Sequence, residues 1–180
     1  GQIMEIATLH KADISQEEYL QVITGKTAYL IEAACETGVI IAGGASGMRE
    51  AARTYGLNLG IAFQLVDDAL DYTSTSATSG KPLGGDLREG KYTLPLLLYL
   101  DSLAPEEQAE LSAQLASSTL SEKRQDEIIV QVSEQGFAQQ TRLEAQKYLD
   151  LARHALEQLP PCSEQKLLAA VLDFVLTREK

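Results

Sequence analysis

An all-α fold is predicted by three features of the sequence. Apolar residues recur at helical spacing along most of the chain, no segment shows convincing strand alternation, and Gly, Pro and capping residues cut the pattern into pieces of helical length. With 180 residues and 44% hydrophobic side chains, the chain can bury one sizeable core. It is too short to suggest several domains, so one domain, or part of one, is expected.

The opening segment GQIMEIATLH is already apolar-periodic and has no initiator Met, as if cut inside a helix, so residues are expected upstream. Ser15 and Glu18 make an S-x-x-E capping box that opens a long helix through EEYLQVITGKTAYLIEAACETGVIIAG, ending near Gly43 and Gly44. Its length marks it as a core helix. A second long helix starts after Ser46 and runs through MREAARTYGLNLGIAFQLVDDALDY. Gly56 and Gly60, four apart, weaken that helix, which predicts close approach of a neighbouring helix there. Residues 73–92 are rich in Ser, Thr and Gly and form the one long loop candidate, a kind of segment that is often functional. Helices are then expected over TLPLLLYLDSL, after Pro105, after Ser121, from about Phe137 to Leu159, and after Ser163. Gly136 and the pair Pro160 and Pro161 separate the last three.

Acidic residues outnumber basic ones 26 to 15, for a formal net charge of -11, and no long Lys/Arg run interrupts the acid. Nucleic acid is therefore not an expected partner. Cys35 and Cys162 lie far apart without zinc-ligand or CxxC spacing, so neither a zinc site nor a disulfide framework is signalled and a reducing cytoplasm fits. No run approaches the roughly 18 apolar residues of a membrane-spanning helix, and no signal-peptide pattern is present, so a soluble protein is expected. His10 and His154 have no Glu three residues before them, which excludes the E-x-x-H pattern of di-iron bundles. No nucleophile-elbow motif supports a hydrolase.

The informative stretch is FQLVDDALD, in which Gln64, Asp67, Asp68 and Asp71 fall at i, i+3, i+4 and i+7 of one helix. Apolar Phe63, Leu65, Val66, Ala69 and Leu70 surround them, so half-buried carboxylates are expected. Like charges at i, i+4 repel, and anions near a helix C-terminus oppose its dipole, so a compensating cation is called for. Hard carboxylate oxygens on one helix suit magnesium that keeps several waters and bridges to phosphate. Taken alone, the stripe is equally compatible with an acidic helix end facing solvent. The following loop carries Lys81, Arg88 and Lys91 beside Gly80, Gly84, Gly85 and Gly90, the cations and open backbone N–H groups that bind diphosphate. In isolation it also reads as a solvated loop of mixed charge, with Asp86 and Glu89 as a local cap. Lys26 and Thr27 sit mid-helix among apolar residues, where Lys26 either snorkels to water or reaches a polar cavity.

In order and spacing, GQIMEI, GKTAYLIEAACETG, GIAFQLVDDALDY and GKPLGGDLREGKYTLPLLL resemble the trans-polyprenyl diphosphate synthase family over residues 1 to about 100, with a looser match to the end at FVLTREK. The pattern looks most like the long-chain, octaprenyl-type members. The resemblance implies an isoprenoid synthase fold, a helical bundle around a central cavity lined by two aspartate-rich motifs, with residues 1–180 as the C-terminal part of one synthase domain and the N-terminal helices absent. DDALD looks like the second motif. On that basis Asp67, Asp68 and Asp71 hold Mg2+, Gln64 stands beside them, Lys26 and Lys81 grip the allylic diphosphate, Lys91 is a third cation near it, and Thr27 and Gln2 line the cavity. The implied reaction adds isopentenyl diphosphate head-to-tail to an allylic diphosphate, with Lys26, Asp67 and Lys81 as catalytic groups. A cytoplasmic homodimer with peripheral membrane contact for product release is implied too. The first aspartate motif and the basic residues for isopentenyl diphosphate have no counterpart in this sequence. Two rival readings share much of the pattern: a non-catalytic subunit of a heteromeric synthase, and a class I terpene cyclase.

Overall fold

The computed structural model describes residues 1–9, 11, 13–73 and 83–178, and among these every regular element is a helix. In chain order they are α1 (Gln2–Thr8), α2 (Gln16–Ile23), a π-helical turn (Thr24–Ala28), α3 (Tyr29–Ile41), α4 (Ser46–Thr73) and α5 (Gly85–Arg88). There follow α6 (Leu94–Ser102), α7 (Pro105–Ala116), α8 (Glu122–Glu134), α9 (Phe137–Glu157) and α10 (Ser163–Thr177). His10 and Lys81 lie outside the described residues, as do residues 74–82 of the Ser/Thr/Gly-rich stretch.

The helix boundaries follow from local chemistry. The backbone N–H of Glu18 donates to Ser15 Oγ at 3.1 Å and the N–H of Ser15 donates to Glu18 Oε2 at 3.0 Å, so the capping box closes in both directions. Ser121 likewise accepts from the Arg124 N–H to start α8. Pro sits in the first turn of α6 and α7, where its missing N–H removes nothing from the helix. Three expectations change, the first being that α3, expected as part of a core helix, has no buried residue. The helix expected to run unbroken from Ser15 widens at Thr24–Ala28 into a π turn, and the expected loop contains the short helix α5 after Gly84, whose φ of +70° is a glycine conformation.

The chain divides into two compact units. The first comprises Gly1, Ile23–Val66 and Arg142–Arg178. Within it, Gly56 and Gly60 form the expected seam. A Cβ on Gly60 would fall 2.5 Å from Ala28 Cα, and one on Gly56 would fall 2.8 Å from Glu32 Cα, so only glycine lets α4 lie this close to the π turn and α3. The next step along the same stripe of α4 is Gln64, whose Oε1 accepts from Thr27 Oγ1 at 2.9 Å. Tyr55 donates to the Leu168 carbonyl at 2.9 Å, fastening α4 to α10. The Arg142 guanidinium donates to the carbonyls of Leu176 and Arg178, satisfying the open end of α10.

The second unit comprises Gln2–Val22 and Asp67–Thr141. Here α6 packs on α7 and α8, and α5 packs on α8, around buried Leu87, Leu96, Leu111, Ile128 and Val132. Gly84 is pressed against α8: a Cβ there would overlap the Ile129 side chain at 2.1 Å. The Tyr99 ring meets Phe137 edge-on at 6.0 Å, which secures the start of α9.

Candidate active site

The residues picked from the sequence divide between the units, and each group is described within its own. In the first unit Lys26 and Thr27 occupy the π turn. A π turn holds one residue more than an α turn, so it alters the direction of the side chains it carries, and such turns recur at functional sites. Ala28, fully buried against Gly60, fixes this turn on α4, and Thr27 is thereby brought onto Gln64. Beside Gln64, the Phe63 ring carries the Arg178 guanidinium 4.4 Å from its centroid, a cation–π contact that the sequence did not announce.

The aspartates lie in the second unit. Leu65, Val66, Ala69 and Leu70 around them are buried, as the apolar setting of the stripe predicts. The three carboxylates nevertheless point to three different surroundings. Asp67 is exposed. Asp68, only 3% exposed, accepts a 2.6 Å hydrogen bond from the Tyr19 hydroxyl, itself 3% exposed. Burial, then the Asp68 charge, push the Tyr19 phenol well above its ordinary range, so the phenol keeps its proton and donates it. Asp71 accepts backbone N–H groups of Gly85 at 3.1 Å and Asp86 at 2.9 Å, and its own carbonyl accepts from the Gly84 N–H at 2.8 Å. It therefore holds the first turn of α5 against the end of α4. Burial raises the Asp71 pKa, and the two N–H groups offset part of that shift.

Lys91 does not stand as an isolated cation. Its Nζ lies 2.6 Å from Glu89 and 3.1 Å from Asp86. Burial opposes its charge, but the two carboxylates outweigh that and raise its pKa. Asp86 and Glu89 thus serve Lys91 rather than acting as the local cap read from sequence. Arg88 reaches α8 and pairs with Asp126. Gln2 is exposed on α1 beside Glu5. His154 is exposed near Glu157, and Cys35 and Cys162 are free thiols.

No group of three or more His, Cys, Asp or Glu side chains converges as a metal cage among the described residues. The donors present still fit magnesium, which takes one or two carboxylates and completes its shell with water and substrate phosphate instead of requiring an all-protein cage. Tyr19 is the residue sequence reasoning missed. A lone Tyr in an apolar-periodic helix reads as core, and a partner 49 residues away leaves no local signature.

The Polyprenyl synthetase family model matches residues 1–132. Among curated proteins, the Short chain isoprenyl diphosphate synthase of Methanothermobacter thermautotrophicus is 35% identical over 99% of this chain and 54% of its own length. The Octaprenyl diphosphate synthase of Escherichia coli is 33% identical over 100% of this chain and 55% of its own. The crystal structure of a polyprenyl synthase from Caulobacter crescentus, complexed with calcium and isoprenyl diphosphate, superposes with a TM-score of 0.90 at 37% identity, covering 99% of this chain and 55% of that one. A decaprenyl diphosphate synthase from Rhodobacter capsulatus gives 0.89 at 34% identity, with the same coverage. The chain spans about half the length of the relatives it matches.

Proposed function

Since this chain belongs to the polyprenyl synthetase family, we propose that residues 1–180 are the C-terminal part of a trans-polyprenyl diphosphate synthase, which adds isopentenyl diphosphate to an allylic diphosphate. The observation that carries this reading is the polar stripe Gln64, Asp67, Asp68 and Asp71, set at the end of a helix that is largely buried from Tyr55 onward, next to a glycine-rich turn. Acid in that setting favours a bound cation.

On this reading Asp67 holds Mg2+ directly, with Asp71 and Asp68 close to it in the motif. Lys26 and Lys81 bind the allylic diphosphate, Lys91 adds positive charge nearby, and Thr27 and Gln64 keep the polar edge of the substrate cavity in order. Mg2+ bound there supplies charge that stabilises pyrophosphate as it departs. The lysines share that task, and apolar helix faces exclude water from the allylic cation. The apolar side chains need do no covalent chemistry. Free thiols are in keeping with a cytoplasmic enzyme, and family relationship suggests a homodimer.

Calorimetry tests the site. Magnesium should bind weakly alone and much more tightly with a bisphosphonate, because it bridges carboxylate and phosphate oxygens. Equal affinity with and without the bisphosphonate contradicts the assignment. In the full-length enzyme Asp67→Ala should lower kcat more than it raises KM, since the charge is needed most as pyrophosphate leaves.

A further inference from the structure

Consecutive residues of an α-helix point about 100° apart, so Asp67 and Asp68 cannot share one orientation. Their surroundings differ accordingly: Asp67 is exposed, while Asp68 is buried and held by Tyr19 at 2.6 Å, the length of a charge-assisted O–H···O⁻ bond. Tyr19 is itself fixed. It lies in the second turn of the helix that the Ser15–Glu18 box starts, and it is buried. The hydroxyl thus joins α2 to the last turns of α4. A buried carboxylate is costly to move away from its donor, since both groups would lose this hydrogen bond in a medium of low dielectric.

We infer that Tyr19 is a positioning residue for the aspartate stripe. By holding Asp68 it fixes the rotation of the last two turns of α4, and so the side from which Asp67 meets a magnesium–diphosphate. Asp68 then acts as the anchor of the motif, Asp67 as its metal ligand, and Asp71 as the clamp on α5. This inference rests on the functional reading above and adds to it a residue outside the motif.

The test is calorimetric titration of Mg2+ in the presence of inorganic pyrophosphate, on the full-length synthase and variants of it. Tyr19→Phe keeps the ring and removes the hydroxyl; it should weaken magnesium uptake about tenfold, the lower end of what loss of a ligand-orienting partner does. Tyr55→Phe, which removes a buried phenol bond in the first unit, should leave uptake unchanged, so a general loss of stability is told apart from loss of orientation. Tyr19→Phe combined with Asp68→Asn should bind no more weakly than Asp68→Asn alone, because both changes break one contact. Wild-type uptake by folded Tyr19→Phe overturns the inference and leaves the functional reading standing. If Tyr19→Phe does not fold, Asp68→Asn decides: unchanged uptake shows that the orientation of Asp68 is immaterial and overturns the inference. A wild-type full-length synthase that takes up no magnesium with pyrophosphate overturns the functional reading, and this inference with it.

Discussion

Two buried tyrosines should respond in opposite ways to losing their hydroxyls. Tyr55 donates to the Leu168 carbonyl, and Tyr55→Phe is expected to cost about 1 kcal/mol of stability. The Tyr92 hydroxyl is buried with no hydrogen-bond partner among the described residues, so Tyr92→Phe should be neutral or stabilise by up to about 1 kcal/mol. Urea unfolding midpoints measure both, and an equal loss at the two sites would contradict this account of Tyr92. Glu18 supplies a pH test. Its pKa is lowered, first by the Ser15 N–H and then by Lys11. A carboxylate with a lowered folded pKa binds fewer protons folded than unfolded, so its contribution is complete above the unfolded value of 4.5 and fades as pH falls through the folded one. The stability gap between wild type and Glu18→Gln should therefore narrow from about pH 7 to about pH 3, as read by thermal unfolding at each pH.

Between α4 and its neighbours, the sign of a substitution depends on which glycine is changed. A methyl group on Gly60 would meet the Ala28 backbone at 2.5 Å, and Gly60→Ala is expected to cost about 1–3 kcal/mol as the helices are forced apart. Gly38, inside α3, faces open space, so Gly38→Ala should stabilise by about 0.5–1 kcal/mol through helix propensity. Thermal unfolding of the two variants checks both signs. These contacts also explain what the sequence could tell. The glycine seam and the Asp stripe were legible because both obey the helical period, which needs only residues seven or eight apart. The π turn was not, since TGKTA has the composition of an ordinary helical stretch. The partners of Asp68, Asp71 and Lys91 were not either: each carboxylate was visible, but the first two are met by Tyr19 and by Gly85 and Asp86, and those meetings are made by tertiary packing.

For the whole chain, the expected outcome is that the 180 residues purified alone elongate no allylic diphosphate, because they encode one aspartate cluster and the proposed chemistry holds the diphosphate between two. Incorporation of radiolabelled isopentenyl diphosphate, with the full-length synthase as positive control, measures this, and rates near that control would refute it. The isolated chain should also associate as its concentration rises, which sedimentation will detect, since α3 leaves Leu30 at 76% and Ile41 at 82% exposure. The widened turn at Thr24–Ala28 has a further consequence. Counted in residues, it is one longer than an unbroken helix requires, so it is where this part of the chain should best tolerate a single deletion. Removing Gly25 would close the turn to ordinary α geometry, take out a poor helix former and restore a regular hydrogen-bond ladder. The same change would turn Thr27 away from Gln64 and alter the direction of Lys26. In the full-length synthase, a gene one codon shorter should therefore encode an enzyme that turns over its substrate more slowly.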